Sequence, residues 1–384
     1  MGKFKGRMIA AIAATAFAAT TTAASAETLK LATGFPPGSV AAESAELLAK
    51  KTEELSGGDL KVKVFALSLL NLKETPPGLR DGIADLGYVL PPYYPAEYAN
   101  TNLAADMNML STLADDQSGA PAAVAGAMSE YVFFECPDCQ KEWKQQNQVY
   151  LGTGTSGIYV LHCNTPVTTL EEAKGKKYRS GGANFGRWAE AVGGIKVSMP
   201  GNDIYSAMEQ GVLDCGMFST AELSNLQLFD VTSHITMRVP GGLFAGVALN
   251  NANRDAWQDL SEAGRRALLD ASAYSTAYFT YEYVQRGYRN VEKGKGMGIK
   301  VHEPSPELLE KSREFARNDV ATIIKTFEDD YGVENAEQKV AKFRELLAKW
   351  EKLTADKDED LEALTQLYAD EIYSKVDAST YGMD

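Results

Sequence analysis

Residues 175–219 read GKKYRSGGANFGRWAEAVGGIKVSMPGNDIYSAMEQGVLDCGMFS, and the spacing of apolar positions in this stretch decides the fold class. Lys177-Tyr178-Arg179 alternates as a strand does and stops at Ser180-Gly181-Gly182. Asn184 to Val192 spaces its apolar residues as a helix, Lys196 to Met199 returns to strand, Asn202 to Gln210 to helix, and Val212 to Phe218 to strand. Strand and helix alternating in this way predict a parallel α/β sheet. Working toward the N-terminus, the same rhythm appears again. Leu29 to Ala32 is a short strand running into the turn Gly34-Phe35-Pro36-Pro37-Gly38. Ser39 is placed to cap a helix from Val40 to Leu55, which Gly57-Gly58 would end. Lys61 to Phe65 alternates, Leu79 to Ile83 reads as helix, and Leu86 to Leu90 is an apolar strand closed by Pro91-Pro92.

Between and beyond these units the signals are coarser. Val149 to Leu161 reads as one or two strands around Gly152-Thr153-Gly154, Thr169 caps a short helix, and Val247 to Asn250 is a strand returning after Pro240-Gly241-Gly242. From Asp255 the composition turns helical, with starts at Ser261 and Ser305-Pro306-Glu307, a break at Gly294 to Gly298 and a charged connector at Thr354 to Asp358. The last residues form an acidic amphipathic helix, a C-terminal arm. Two α/β units joined by returning connections imply two lobes with a cleft, and ligands of such sheets bind where strand ends and loops meet. The loops after Ala32, Phe65, Leu90, Arg179 and Phe218 are therefore the place to look for a site.

Charge and composition narrow the function. The 384 residues carry 38 Lys+Arg against 52 Asp+Glu, a net charge of −14, which opposes nucleic acid or an anionic membrane as partner. Lys3, Lys5 and Arg7, the apolar run Met8 to Ala19, and Ala24-Ser25-Ala26 have the layout of a Sec-type export signal, placing a mature N-terminus at Glu27. Its removal leaves 35 basic residues against 52 acidic, a charge of −17. The compartment expected is the periplasm of a Gram-negative bacterium. Four cysteines, Cys136, Cys139, Cys163 and Cys215, suit that oxidising location. Cys136-Pro-Asp-Cys139 allows thiol–disulfide chemistry or a structural bridge. Of the three connectivities open to four cysteines, Cys136–Cys139 with Cys163–Cys215 is preferred.

No catalytic constellation emerges. The histidines His162, His234 and His302 have no metal-ligand spacing to the cysteine pair, and His162 and His234 read as structural. Gly152-x-Gly154-x-Ser156-Gly157 lacks the Lys-Ser/Thr of a phosphate loop, and Ser156 sits in no nucleophile elbow. No enzyme activity, cofactor or metal is expected. The informative residue is Arg179. It ends a strand, is followed by Ser-Gly-Gly and precedes a helix, so guanidinium and helix N-terminus converge as a carboxylate site. An arginine paired with a nearby glutamate is the alternative. Aromatics at the predicted loop ends, among them Phe35, Tyr88, Tyr93, Tyr94, Phe185, Trp188, Phe218 and Phe244, suit either an organic ligand or the core.

These residues also resemble a known pattern. Gly175 to Gly181, Ala191 to Pro200 and Ile204 to Asp214 resemble the DctP-type solute-binding proteins of TRAP transporters. The resemblance continues through Ala41 to Phe65, Leu79 to Asp85 and Asn250 to Ala267, and spans most of residues 28 to 290. It implies a type II periplasmic-binding-protein-like α/β fold, each lobe a sheet flanked by helices, with a long helix crossing both lobes and a helical C-terminal arm. The expected division is 27–151 plus about 247–290 for lobe I, and 152–246 plus part of 295–384 for lobe II and the C-terminal helices. It further implies a receptor, expected as a monomer, that closes on a small organic acid and delivers it to a membrane permease. The family's carboxylate-binding arginine falls on Arg179. Where sialic-acid binders carry a second arginine, Tyr159 stands here; Phe218-Ser219 replaces the family's asparagine and Cys215 its glycine. These departures point to a monocarboxylate with an apolar or aromatic body. Arg179, Phe35, Tyr88, Tyr159, Asn184, Phe185, Phe218, Ser219 and Phe244 are the expected ligand-binding residues, with closure near Gly152 and Gly246. A sensor subunit of the same fold is a further alternative.

Overall fold

The computed structural model describes residues 1–2 and 26–384, so the export signal expected over residues 1–26 lies almost wholly outside the described residues. The chain begins with β1 (Glu27–Ala32), α1 (Val40–Leu55), β2 (Leu60–Phe65), α2 (Thr75–Arg80) and β3 (Leu86–Val89). Then come α3 (Ala99–Ala105), α4 (Ala120–Glu130), α5 (Pro137–Gln145), β4 (Gln148–Val149) and β5 (Thr153–Gly154). The second unit holds β6 (Ile158–Cys163), α6 (Leu170–Ala173), β7 (Lys177–Ser180), α7 (Ala183–Ala191), β8 (Ile195–Ser198), α8 (Ile204–Glu209), β9 (Cys215–Ser219), α9 (Glu222–Asn225) and β10 (His234–Leu243). β11 (Val247–Asn253) returns to the first sheet, followed by α10 (Arg254–Asp259), α11 (Glu262–Gly296), β12 (Lys300–His302), α12 (Pro306–Tyr331), α13 (Ala336–Thr354) and α14 (Leu361–Glu371).

These strands make two sheets flanked by helices. One has the order β2-β1-β3-β11-β4, with β5 paired to β11; the other runs β12-β10-β6-β9-β7-β8. β1 is parallel to β2 and β3, and β7 is parallel to β8 and β9, as the two rhythms predict. Ser39 caps α1 by accepting a hydrogen bond from the Ala42 N–H, and Thr169 forms a reciprocal capping box with Glu172 on α6. Ser261 caps α11 through the Gly264 N–H. At 35 residues α11 is about 52 Å long. It packs on α1, α4 and α14 beside the first sheet and on α9 and β12 beside the second, so one continuous helix runs along both. In the C-terminal arm α13 lies on α4 and α14 on α11.

Several elements differ from the sequence reading. The helix expected over 79–83 is α2 at Thr75–Arg80, because Pro76 and Pro77 suit a first turn, where their missing N–H groups cost nothing. The strand expected from Val212 begins at Cys215. Residues 93–147, unassigned from sequence, contain α3, α4 and α5. Pro121 to Ser129 of α4 are all buried, so that helix has no polar face to supply a periodic signal. β10 was unexpected, since Pro240-Gly241-Gly242 reads as a turn. It survives because β6 and β12 flank it and irregularities between Thr236, Pro240 and Leu243 absorb the proline.

The cysteines pair as Cys136–Cys139 and Cys163–Cys215. Cys163 and Cys215 lie directly opposite each other on β6 and β9, with Cα atoms 4.1 Å apart. Cys136 and Cys139 are buried, out of reach of a thiol substrate, so the thiol–disulfide alternative loses its reactive group.

Candidate functional site

Arg179 lies at the end of β7, where the strand gives way to Gly181-Gly182 and α7. It is 3% exposed. A Cβ on Gly181 would come within 2.8 Å of its guanidinium, so this glycine lets the bare backbone pack against the charged group. Arg179 Nε donates to the Met199 carbonyl at 3.1 Å and Nη2 to the Tyr93 hydroxyl at 3.1 Å. Both acceptors are neutral. Among the described residues no carboxylate forms an ion pair with Arg179, which removes the paired-glutamate alternative. A buried guanidinium normally requires an anion, and the carboxyl in the cavity lining, Glu222, makes no ion pair with it.

The arginine faces a cavity between the two sheets. Phe35, Tyr159, Phe218 and Phe244 line it together with Tyr93, Tyr283, Ser156 and Glu222. The space remaining is about 40 Å³, enough for one to a few water molecules and well below the volume of ligand pockets in general. The walls are held together from both sides. Tyr93, from the loop after β3, accepts hydrogen bonds from Arg179 and from the Gly201 N–H at 3.0 Å. Asn202 Nδ2 donates to the Gly34 carbonyl at 3.2 Å, and the Val40 N–H donates to Asn225 Oδ1 at 3.1 Å.

The other expected residues stand behind this wall. Tyr88 is in the core, its hydroxyl 2.7 Å from Ser44 and its ring edge-on to Phe279, so it does not line the cavity. Phe185 stacks on Tyr159 with ring centroids 4.5 Å apart, supporting that ring from the rear. Asn184 donates to Asn108 Oδ1 at 3.2 Å, and Ser219 faces Tyr159 across β6 and β9 with a buried hydroxyl that has no partner among the described residues. His162 is stacked on Phe218, and burial pushes its imidazole down to about 3, so it is neutral and structural. Among the described residues no cluster of three or more His, Cys, Asp or Glu is arranged to hold a metal.

Sequence reasoning missed Glu222, Tyr283 and the hydrogen-bonding role of Tyr93. Glu222 follows β9 in Ser-Thr-Ala-Glu, which reads as an ordinary exposed helix start. Its burial comes from α11, whose Asn290 donates to the carbonyls of Thr220 and Ala221 and to Ser224 Oγ, drawing the turn inward. Burial pushes the Glu222 carboxyl up to about 7, outweighing the opposing pull of Tyr283 and Arg179.

Two helix-flanked sheets with an aromatic-walled cavity between them have the architecture of a solute-binding protein. Residues 31–326 match the model of bacterial extracellular solute-binding protein family 7, DctP, and the chain belongs to that family. A solute-binding protein of Albidiferax ferrireducens is 27% identical over 171 residues, 44% of this chain and 48% of that protein. The match thus spans about half the length of that curated relative. Among solved structures, a marine metagenome TRAP solute-binding protein specific for aromatic acids, in complex with metahydroxyphenylacetate, has the same fold with a TM-score of 0.72. The identity is 18%, covering 84% of this chain and 99% of that one. A TRAP solute-binding protein from Rhodoferax ferrireducens T118, in complex with copurified benzoate, gives 0.71 at 19% identity over 85% and 99% of the two chains. The ectoine-binding protein of a Halomonas elongata TRAP transporter gives 0.68 at 17% over 84% and 100%. Among the described residues no helix is long and apolar enough to cross a membrane.

Proposed function

We propose that this chain is the extracytoplasmic receptor of a TRAP-type secondary transporter, exported to the periplasm, which captures a small organic acid and hands it to the membrane permease. The ligand carries one carboxylate on an apolar or aromatic body. The observation that carries this reading is Arg179, buried beside the cavity and hydrogen-bonded only to neutral oxygens. A bidentate carboxylate would replace those weak acceptors, while Phe35, Tyr159, Phe218 and Phe244 cover the body. Aromatic acids bound by relatives of the same fold support the ligand class.

Entry requires the cavity to open. The connections at 155–157 and 244–246 join the two sheets, and flexing there, near Gly152 and Gly246, would part them while α11 bends or tilts. Gly152, just before β5 in the first sheet, has φ +131°, and a Cβ there would fall 2.1 Å from the Tyr373 hydroxyl, so that position admits no side chain. Calorimetric titration of the purified chain with benzoate, phenylacetate and other organic acids tests the assignment. Arg179→Ala should weaken binding about 100-fold or more. An unchanged affinity in that variant removes Arg179 from the site.

A further inference from the structure

The cavity contains one basic and one acidic side chain, and the receptor function above uses only the basic one. Glu222 is 8% exposed, and its Oε2 is buried without a hydrogen-bond partner among the described residues. An oxygen left so is costly unless a donor reaches it from within the cavity. Ser156 cannot supply one, because its hydroxyl donates to the Gly157 carbonyl at 2.7 Å while accepting from the Phe244 N–H, and Tyr283 and Asn225, which approach the carboxyl and favour its charged form, place no donor on Oε2. The position of Glu222 is fixed by Asn290, which donates to the carbonyls of the two residues before it and to the Ser224 hydroxyl two residues after it.

Resting on the receptor reading, we propose that the ligand bears a hydrogen-bond donor, a hydroxyl or N–H, on its body apart from the carboxylate, and that Glu222 receives it. Arg179 and Glu222 then orient the ligand jointly. The carboxylate is drawn to the guanidinium and repelled from Glu222, so the molecule enters in one direction. A dicarboxylate is disfavoured, since its second carboxylate meets Glu222. The carboxyl, raised to about 7 by burial, is held ionised when a donor arrives.

The test compares ligands matched in shape with and without the donor: phenylacetate with 3-hydroxyphenylacetate, benzoate with 3-hydroxybenzoate, and cyclopentanecarboxylate with pyroglutamate. Each is titrated calorimetrically into wild type, Glu222→Met, Glu222→Gln and Arg179→Ala. The wild type should prefer the donor-bearing member of at least one pair by about tenfold or more. In Glu222→Met that preference should shrink to within about threefold, with affinity for the donor-free member retained or improved. Glu222→Gln, which keeps an acceptor oxygen, should fall between, and it carries the comparison if Glu222→Met does not fold. Equal binding of both members by the wild type overturns the proposal, as does a preference that survives Glu222→Met. Binding that persists in Arg179→Ala, or no binding of any pair by the wild type, strikes the carboxylate-receptor reading instead.

Discussion

Arg179 and Arg187 stand on either side of one strand-to-helix junction, yet their surroundings differ completely. Arg187, on α7, makes a bidentate pair with Asp319 of α12 at 2.7 and 2.8 Å, and Asp106 lies 3.7 Å away. Arg179 meets a carbonyl and a phenol. Both are largely buried, so burial does not separate a structural arginine from a binding one. What separates them is where the counter-charge resides. For Arg187 it is built into the chain and ties α7 to α12; for Arg179 the cavity's Glu222 makes no ion pair, and in the function proposed above the counter-charge is the ligand's.

Breaking the first pair should have the largest effect. Arg187→Ala strands Asp319 and Asp106 in a buried setting and should lower unfolding free energy by about 3–5 kcal/mol in urea denaturation, while leaving ligand affinity nearly unchanged. Arg179→Ala should do the reverse: affinity falls about 100-fold or more by calorimetry, and the unliganded denaturation midpoint hardly moves. If both variants lost stability and neither lost affinity, the contrast between the two arginines would be void.

The acid in the cavity gives a smaller effect with a definite sign. A carboxyl raised to about 7 in the folded chain prefers its proton there, so its penalty is absent below the ordinary carboxylate range, grows as pH rises from that range to about 7, and is constant above it. Glu222→Gln should therefore stabilise the unliganded chain by about 1–3 kcal/mol at pH 8 and by much less at pH 4. A stability gain independent of pH would show that Glu222 does not titrate in this range. The smallest effect concerns approach rather than binding. A strongly acidic molecule repels an anion at long range, so stopped-flow association should speed up a few-fold with added salt. A rate that falls with salt would place a local positive field at the cavity mouth.

The sequence announces what depends on local pattern. Both β-α-β rhythms, the Ser39 and Ser261 caps and the end of α11 follow from periodicity and capping chemistry, and Arg179 is found by its place between a strand and two glycines. Phe35, Phe218 and Phe244, aromatics at strand ends, line the cavity, and so does Tyr159, which only the family resemblance singled out. What remained hidden depends on distant parts of the chain. Tyr88 has the same local context as those aromatics, but α1 places Ser44 against its hydroxyl and holds it in the core. Glu222 looks like a surface residue until α11 pulls its turn inward. β10 contains a proline and two glycines and is a strand only because neighbours pair with it on both sides.

The Cys163–Cys215 bridge ties one end of the β6–β9 pair, and the other end of that pair carries Tyr159, Phe218 and Ser219. Sliding of one strand past the other would have to stretch a covalent bond. The end of the pair that carries Tyr159 and Phe218 is therefore held in register by a covalent bond at the other end, and that side of the cavity wall is set independently of how the opposite wall packs.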